Sequence, residues 1–221
     1  MTDESLRVAQ ARDPHPGYTM CKRTLDVAVA VTALCALAPL LGLVALLVKS
    51  SSRGPVFFSQ ERCGLGGSTF HMLKFRTMVA DAEQQLAEMT VRAAEGGIVA
   101  VDAPVFKSQH DPRVTRIGRY LRRLSIDELP QLVNVLRGEM SLVGPRPLVV
   151  EEALLLPEPA RVRHAVRPGL TCIWQTSGRS RVPYERRLEM DIEYATRRSL
   201  WLDIALLART PRAVFSSDGA Y

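Results

Sequence analysis

The sequence contains no C-x-x-C pair: Cys21, Cys35, Cys63 and Cys172 are scattered along 221 residues. They offer neither a disulfide framework nor a zinc-ligand spacing, and the expectation is a reducing compartment. Cys35 falls inside an apolar run and reads as a small hydrophobe. Aromatic residues make up only 6% of the chain. With no RNA-binding or helix-turn-helix signature either, nucleic acid is set aside as a partner. Internal repeats and low-complexity tracts are also missing. A secretory signal peptide is not expected, because a polar stretch precedes the apolar run and Pro39 directly follows Ala36-Leu37-Ala38.

What is present is apolar and basic. Hydrophobic residues account for 47%, and 29 basic against 23 acidic residues leave a net charge of +6. That balance favours anionic partners, either phosphorylated substrates or anionic membrane lipid. From Val27 to Val48 no residue carries a charge; as a straight helix this run would be about 33 Å long, enough to cross a hydrocarbon core. Pro39 and Gly42 interrupt it, and Lys22, Arg23, Lys49 and Arg53 flank it. Pro39 removes one helical hydrogen bond and predicts a kink, while basic residues at both ends draw both ends to the cytoplasmic side. Two readings stand on these residues: a re-entrant helical hairpin and a kinked single span.

Residues 1–20 read as a mobile N-terminal tail and 21–221 as a single domain, with the membrane helix at about 25–48 and a cytoplasmic part at about 50–221. In that part, Val56-Phe57-Phe58 and Thr69–Leu73 flank Gly64-Leu65-Gly66-Gly67 and predict a β-hairpin closed by Lys74 and Arg76. Residues 79–95 read as a helix and 96–112 as a loop with a short strand. "VTRIGRYLRRL" predicts a basic amphipathic helix with Val114, Ile117, Leu121 and Leu124 on one face, its arginines turned toward anionic headgroups. "LPQLVNVLRG" predicts a helix ending at Gly138, and two more are expected around "YERRLEMDIEYATR" and "SLWLDIALLARTPRAVF". The stretch between them, with Arg167, Trp174, Gln175 and Arg179, reads as a loop or short strand pair.

Asp127 and Glu128 stand next to each other in a basic, proline-punctuated stretch, "RRLSIDELPQLVNVLRGEMSLVGPRP". Ser125-Ile126-Asp127-Glu128 fits a capping box, which would explain both carboxylates structurally. The four residues alone do not decide between capping and another role. Asp191 and Asp203 either serve a metal or pair with Arg187 or Arg198, and His71, His110 and His164 read as structural.

Several motifs follow one another in a fixed order: "KRTLDV", "GPVFFSQERCG", "KFRTM", the S-x-D-E-L-P-Q and G-P-R-P pair, "RPGLTCIWQTSGRS" and a terminal "GAY". In these the chain resembles the bacterial sugar transferases, or monotopic phosphoglycosyl transferases, from about residue 20 to its end. The resemblance implies an α+β monotopic membrane protein with a kinked re-entrant helix broken at Ala38-Pro39, interfacial amphipathic helices and a small β-hairpin element. It implies residence on the cytoplasmic face of the bacterial inner membrane. It also implies transfer of a hexose-1-phosphate from a UDP-sugar to polyprenyl (undecaprenyl) phosphate, with Mg²⁺, giving UMP. Carried over, Asp127 is the nucleophile of a covalent intermediate and Glu128 its metal-binding neighbour. Arg122, Lys74 and Arg76 are implied to hold phosphate, and Arg179, Gln175 and Arg146 to meet the nucleotide. Direct attack by the lipid phosphate in a ternary complex, with Asp127 only a metal ligand, is the alternative mechanism; a non-catalytic membrane adaptor is the alternative function. A homodimer is compatible with either. The chain departs from the family pattern at Ala38, Thr77 and Cys172, where Ser, Ser and Gly are usual.

Overall fold

The computed structural model of the protein describes residues 16–85 and 111–215. The tail at 1–15, most of the helix expected at 79–95, the loop at 96–110 with His110, and the terminal Gly-Ala-Tyr lie outside the described residues.

Helix α1 spans Tyr18–Ser51, with Pro39 inside it. It is longer at both ends than the expected 25–48. The boundary moves because Tyr18, placed in the tail by its polar neighbours, is buried and donates a 2.9 Å hydrogen bond to Asp203. Lys22 reaches the same carboxylate at 2.9 Å. Ala30 is fully buried in the main core, and near the other end Val44 and Val48 pack with Phe75 and Leu121. Leu40, Leu43, Leu46 and Leu47 face outward and are exposed. Among the described residues, α1 is the one helix long and apolar enough to cross a membrane by length and composition.

Strands β1 (Phe57–Cys63) and β2 (Thr69–Phe75) form the expected antiparallel hairpin, in register from Phe57 opposite Phe75 to Cys63 opposite Thr69. Helix α2 (Arg116–Arg123) starts at Thr115, whose hydroxyl accepts from the Gly118 N–H at 2.9 Å. Its expected apolar face holds at Val114, Ile117 and Leu121 but fails at Leu124, which is 40% exposed because the helix has already ended. Arg113, just before this helix, is buried in a 2.7 Å ion pair with Asp111.

Helix α3 (Gln131–Arg137) stops at Gly138 in a left-handed conformation, as the sequence predicts. Its last carbonyls are met by side chains distant in sequence: Arg23 donates to Val135 and Leu136, and Arg167 to Gly138. Strand β3 (Ser141–Val143) leads to the short helix α4 (Val150–Leu154) and then to β4 (Gly169–Thr171), which lies parallel to β3. The region expected as a loop or short strand pair is otherwise helical: α5 covers Ile173–Ser177 and a 3₁₀ turn Arg179–Arg181. Helices α6 (Tyr184–Arg197) and α7 (Leu200–Phe215) end the described chain where the sequence places them.

The core joins Phe70 and Met72 of β2, Leu132 and Val135 of α3, Leu142 and Val143 of β3, Tyr194 of α6 and Leu206 of α7. Asp191 and Asp203 belong to this scaffold. Asp191 pairs with Arg163 at 2.6 Å, and Asp203 accepts from Tyr18, Lys22 and Tyr194 rather than from Arg198.

Candidate active site

The hairpin aims Lys74 inward. Side chains alternate along a strand, and Phe70 and Met72, both buried, place Lys74 in the same inward row. Asn134 holds that row against α3: its Oδ1 accepts from the Leu73 N–H at 3.0 Å and its Nδ2 donates to the His71 carbonyl at 2.8 Å. Opposite lies a 3₁₀ turn, Ile126–Glu128, which carries the acidic pair.

The capping box does not form. Ser125 adopts φ 55°, and its side chain caps nothing. Instead its hydroxyl accepts a 3.1 Å hydrogen bond from Arg179 Nη2. Arg179 also has a left-handed backbone, φ 53°, and these are the two non-glycine residues with positive φ among the described residues. Left-handed backbone is unfavourable for side-chain-bearing residues and concentrates at functional sites.

The two carboxylates differ sharply. Glu128 is crossed by two cations, Lys74 Nζ at 3.1 Å and Arg146 Nη2 at 2.6 Å, both on Oε1. Burial alone would raise its pKa, but Arg146 and Lys74 hold it well below the usual carboxylate range. Glu128 in turn pushes Arg146 up, while burial pulls Lys74 down. Asp127 is buried, at 8% exposure, and among the described residues none donates a hydrogen bond to its carboxyl. Burial first, and then the charge of Glu128, push it up to about 6. One carboxylate is thus locked and ionised, while its neighbour has no hydrogen-bond partner among the described residues and holds its proton to higher pH than an ordinary carboxyl.

Arg122 donates from Nε to the Thr77 hydroxyl at 2.9 Å and acts on Asp127 electrostatically. Lys74, Arg122 and Arg146 therefore converge with the sequence-predicted dyad. Arg76 does not join them. Its guanidinium donates to the carbonyls of Pro55, Ser52 (2.8 Å) and Val48 (3.4 Å), at the C-terminal end of α1. A helix C-terminus attracts a cation, so the residue expected on phosphate braces the exit of α1 instead. Gln175 accepts from the Cys172 thiol at 3.0 Å and sits with Arg179 across the dyad turn from Lys74. Burial pushes Cys172 above the usual thiol range. His164 is buried, and burial pushes it down to about 4, which leaves it neutral near pH 7.

Sequence reasoning missed Asn134 and Arg62 and read Ser125 as a helix cap. Arg62 donates to the Pro147 carbonyl at 3.3 Å and to Gln60 at 2.5 Å, bracing the loop that presents Arg146. For Asn134 a signal existed: it is the one amide within Leu132-Val133-Asn134-Val135-Leu136, and a polar group buried on an apolar helix needs partners.

The donor set is compatible with Mg²⁺. That ion takes one or two carboxylates and completes its shell with substrate phosphate oxygens and water. The Asp127 carboxyl accepts no hydrogen bond from the described residues, and Glu128 Oε2 accepts only a long one, 3.4 Å from Arg146 Nη1; no cluster of three metal-ligating side chains exists among the described residues.

Residues 17–217 match the family model described as bacterial sugar transferase. The chain is 44% identical to the exopolysaccharide production protein ExoY of Sinorhizobium fredii, over 90% of this chain and 88% of that one. It is 44% identical to the undecaprenyl-phosphate glucose phosphotransferase of Komagataeibacter xylinus, over 97% of this chain and 40% of that one. The undecaprenyl-phosphate galactose phosphotransferase of Salmonella typhimurium is 39% identical, over 90% and 41%. The chain thus spans most of the first relative and less than half of the other two. It belongs to the bacterial sugar transferase family.

Proposed function

We propose that the protein transfers a hexose-1-phosphate from a UDP-sugar to polyprenyl phosphate, as the first membrane step in assembling a lipid-linked glycan. The relatives named as undecaprenyl-phosphate sugar phosphotransferases support the reaction class. The observation that carries the mechanism is the asymmetry of the dyad, an unpartnered buried Asp127 beside a Glu128 clamped by Lys74 and Arg146.

A carboxylate oxygen of Asp127 attacks the sugar-bearing phosphorus. An acyl phosphate forms as the bond to the UMP oxygen breaks, and UMP leaves with that electron pair. An oxygen of polyprenyl phosphate then attacks the same phosphorus, and Asp127 departs as carboxylate. Lys74, Arg122 and Arg146 set a fixed positive field around the transferring group, which offsets the repulsion between anionic reactants. Glu128 keeps Lys74 and Arg146 oriented. Mg²⁺, held by Asp127 and Glu128 with phosphate oxygens, would neutralise charge on the diphosphate. Arg146, Gln175 and Arg179 stand on the leaving-group side in this reading.

Placement on the cytoplasmic face through a re-entrant α1 is part of the same reading. It is supported by the packing of both ends of α1 on one body, Lys22 on Asp203 and Val48 on the hairpin. Incubating the protein with a UDP-sugar labelled in its sugar phosphate, without acceptor, tests the mechanism. The expected result is near-stoichiometric, base-labile label on the protein, chased off by polyprenyl phosphate and absent in Asp127→Asn. Full turnover by a parent protein that never carries label would establish direct attack by the acceptor instead.

A further inference from the structure

A pocket of about 220 Å³ opens beside the dyad turn, between that turn, β4 and the inner face of α7. Its walls are largely aliphatic, formed by Leu124, Leu129, Leu170, Leu207, Ala213 and Val214, and Glu128 is among the lining residues. Its few polar groups are almost all engaged with one another. The Ser125 hydroxyl accepts from Arg179, the Thr171 and Thr210 hydroxyls bond at 2.9 Å, and Gln175 Oε1 accepts from Cys172. The exception is Arg179 Nη1, a buried donor with no hydrogen-bond partner. A buried guanidinium nitrogen without a partner is costly, and an acceptor oxygen brought to that end of the pocket would relieve the cost.

A nucleoside fits this lining poorly. Uracil and ribose need several directed hydrogen bonds, and among the described residues no aromatic ring lines the pocket for stacking. An isoprenyl chain ending in a phosphate matches it at both ends, with aliphatic wall for the chain and Arg179 for the anion. The surroundings agree. The pocket is backed by α7, whose first turns expose Trp201 at 79% and Ile204 at 48%, a pattern suited to the membrane interface where such a lipid resides. The proposed chemistry points the same way. Two successive in-line displacements at one phosphorus share an apical position, so the acceptor oxygen must enter where the UMP oxygen left.

We infer that this pocket seats the phosphate-proximal isoprene units of the acceptor, with Arg179, held by Ser125, donating through Nη1 to its phosphate. The inference rests on the transfer reaction proposed above and moves Arg179 from a nucleotide role to an acceptor role.

The test uses the full chain in detergent and fills the pocket with Ala213→Phe. The acceptor KM is expected to rise about tenfold or more, the range set by small steric changes in an apolar pocket, while the rate of donor-only labelling stays at the parent value. Farnesyl phosphate is expected to raise the Tm of the parent but not of Ala213→Phe or Arg179→Gln, and inorganic phosphate to raise that of none of the three. Slowed donor-only labelling with an unchanged acceptor KM would overturn the inference in favour of a nucleoside pocket. An equal farnesyl phosphate shift in all three proteins would also overturn it. If Ala213→Phe lowers the Tm by itself, Ala213→Leu gives the same comparison with a smaller side chain. Failure of the parent to become labelled counts against the aspartyl route alone, because the farnesyl phosphate shift reads the pocket without any turnover.

Discussion

Asp127 and Glu128 are chemically alike and one residue apart, yet the fold drives their pKa values in opposite directions. Burial and the neighbouring charge raise Asp127 to about 6, while two cations hold Glu128 down. A nucleophilic carboxylate must be ionised, so donor-only labelling should fall about tenfold per pH unit below about 6 and level off above it. Stopped-time labelling across pH 4.5–8 checks this; a flat profile down to pH 5 would remove Asp127 as the titrating nucleophile. The same shift affects stability. A carboxyl raised in the folded state contributes stability that is present at low pH and lost as pH climbs through about 6. Asp127→Asn should therefore be inactive yet more stable than the parent at pH 7.5, by about 1–3 kcal/mol, with a smaller gap at pH 5, as read by thermal melts. The dyad itself was legible because its motif spacing is specific. The left-handed Ser125 was not, since S-x-x-E reads as a capping box until Arg179, 54 residues away, takes its hydroxyl.

Elements were legible where their signals are local. The hairpin follows from its glycine turn, α3 from apolar spacing and Gly138, and α6 and α7 from composition. Long-range side-chain contacts were not, and they fix which elements meet. Tyr18 and Lys22 find Asp203 more than 180 residues away, and Arg76 turns from the site to the last carbonyls of α1. Arg76→Gln should accordingly lower the Tm, by about 1–2 kcal/mol of lost capping and burial, and leave the donor KM within about twofold. A large rise in donor KM with an unchanged Tm would return Arg76 to the phosphates. The G-P-R-P loop depends on a backbone contact of the same kind. A Cβ on Gly169 would lie 2.0 Å from the Gly144 nitrogen, so β4 can sit under the loop only because both residues are glycine. Gly169→Ala should push that loop, and Arg146 with it, off Glu128, with transfer activity falling further than the Tm implies.

At the scale of the whole molecule, the position of α1 decides topology. A 34-residue helix is about 51 Å long, more than a hydrocarbon core of about 30 Å. Were α1 to cross straight through, its two ends would face opposite compartments. Both ends are instead tied to one polar body: Tyr18, Lys22 and Arg23 bind α7 and α3, and Arg76 with the hairpin binds residues 48–52. That body carries Asp111–Arg113, Arg163–Asp191 and the dyad, buried charges that would not be drawn through lipid. On the re-entrant reading proposed above, the outward leucines of α1 would meet the acyl region from one side, with Lys49 and Arg53 near the headgroups. Removing Cys21 and Cys35 and placing single cysteines at Thr19 and at Ser50 gives the test. A membrane-impermeant maleimide should label both positions in inverted vesicles and neither in intact spheroplasts. Labelling of one position from each side would make α1 a span, and the catalytic body could not then hold both of its ends.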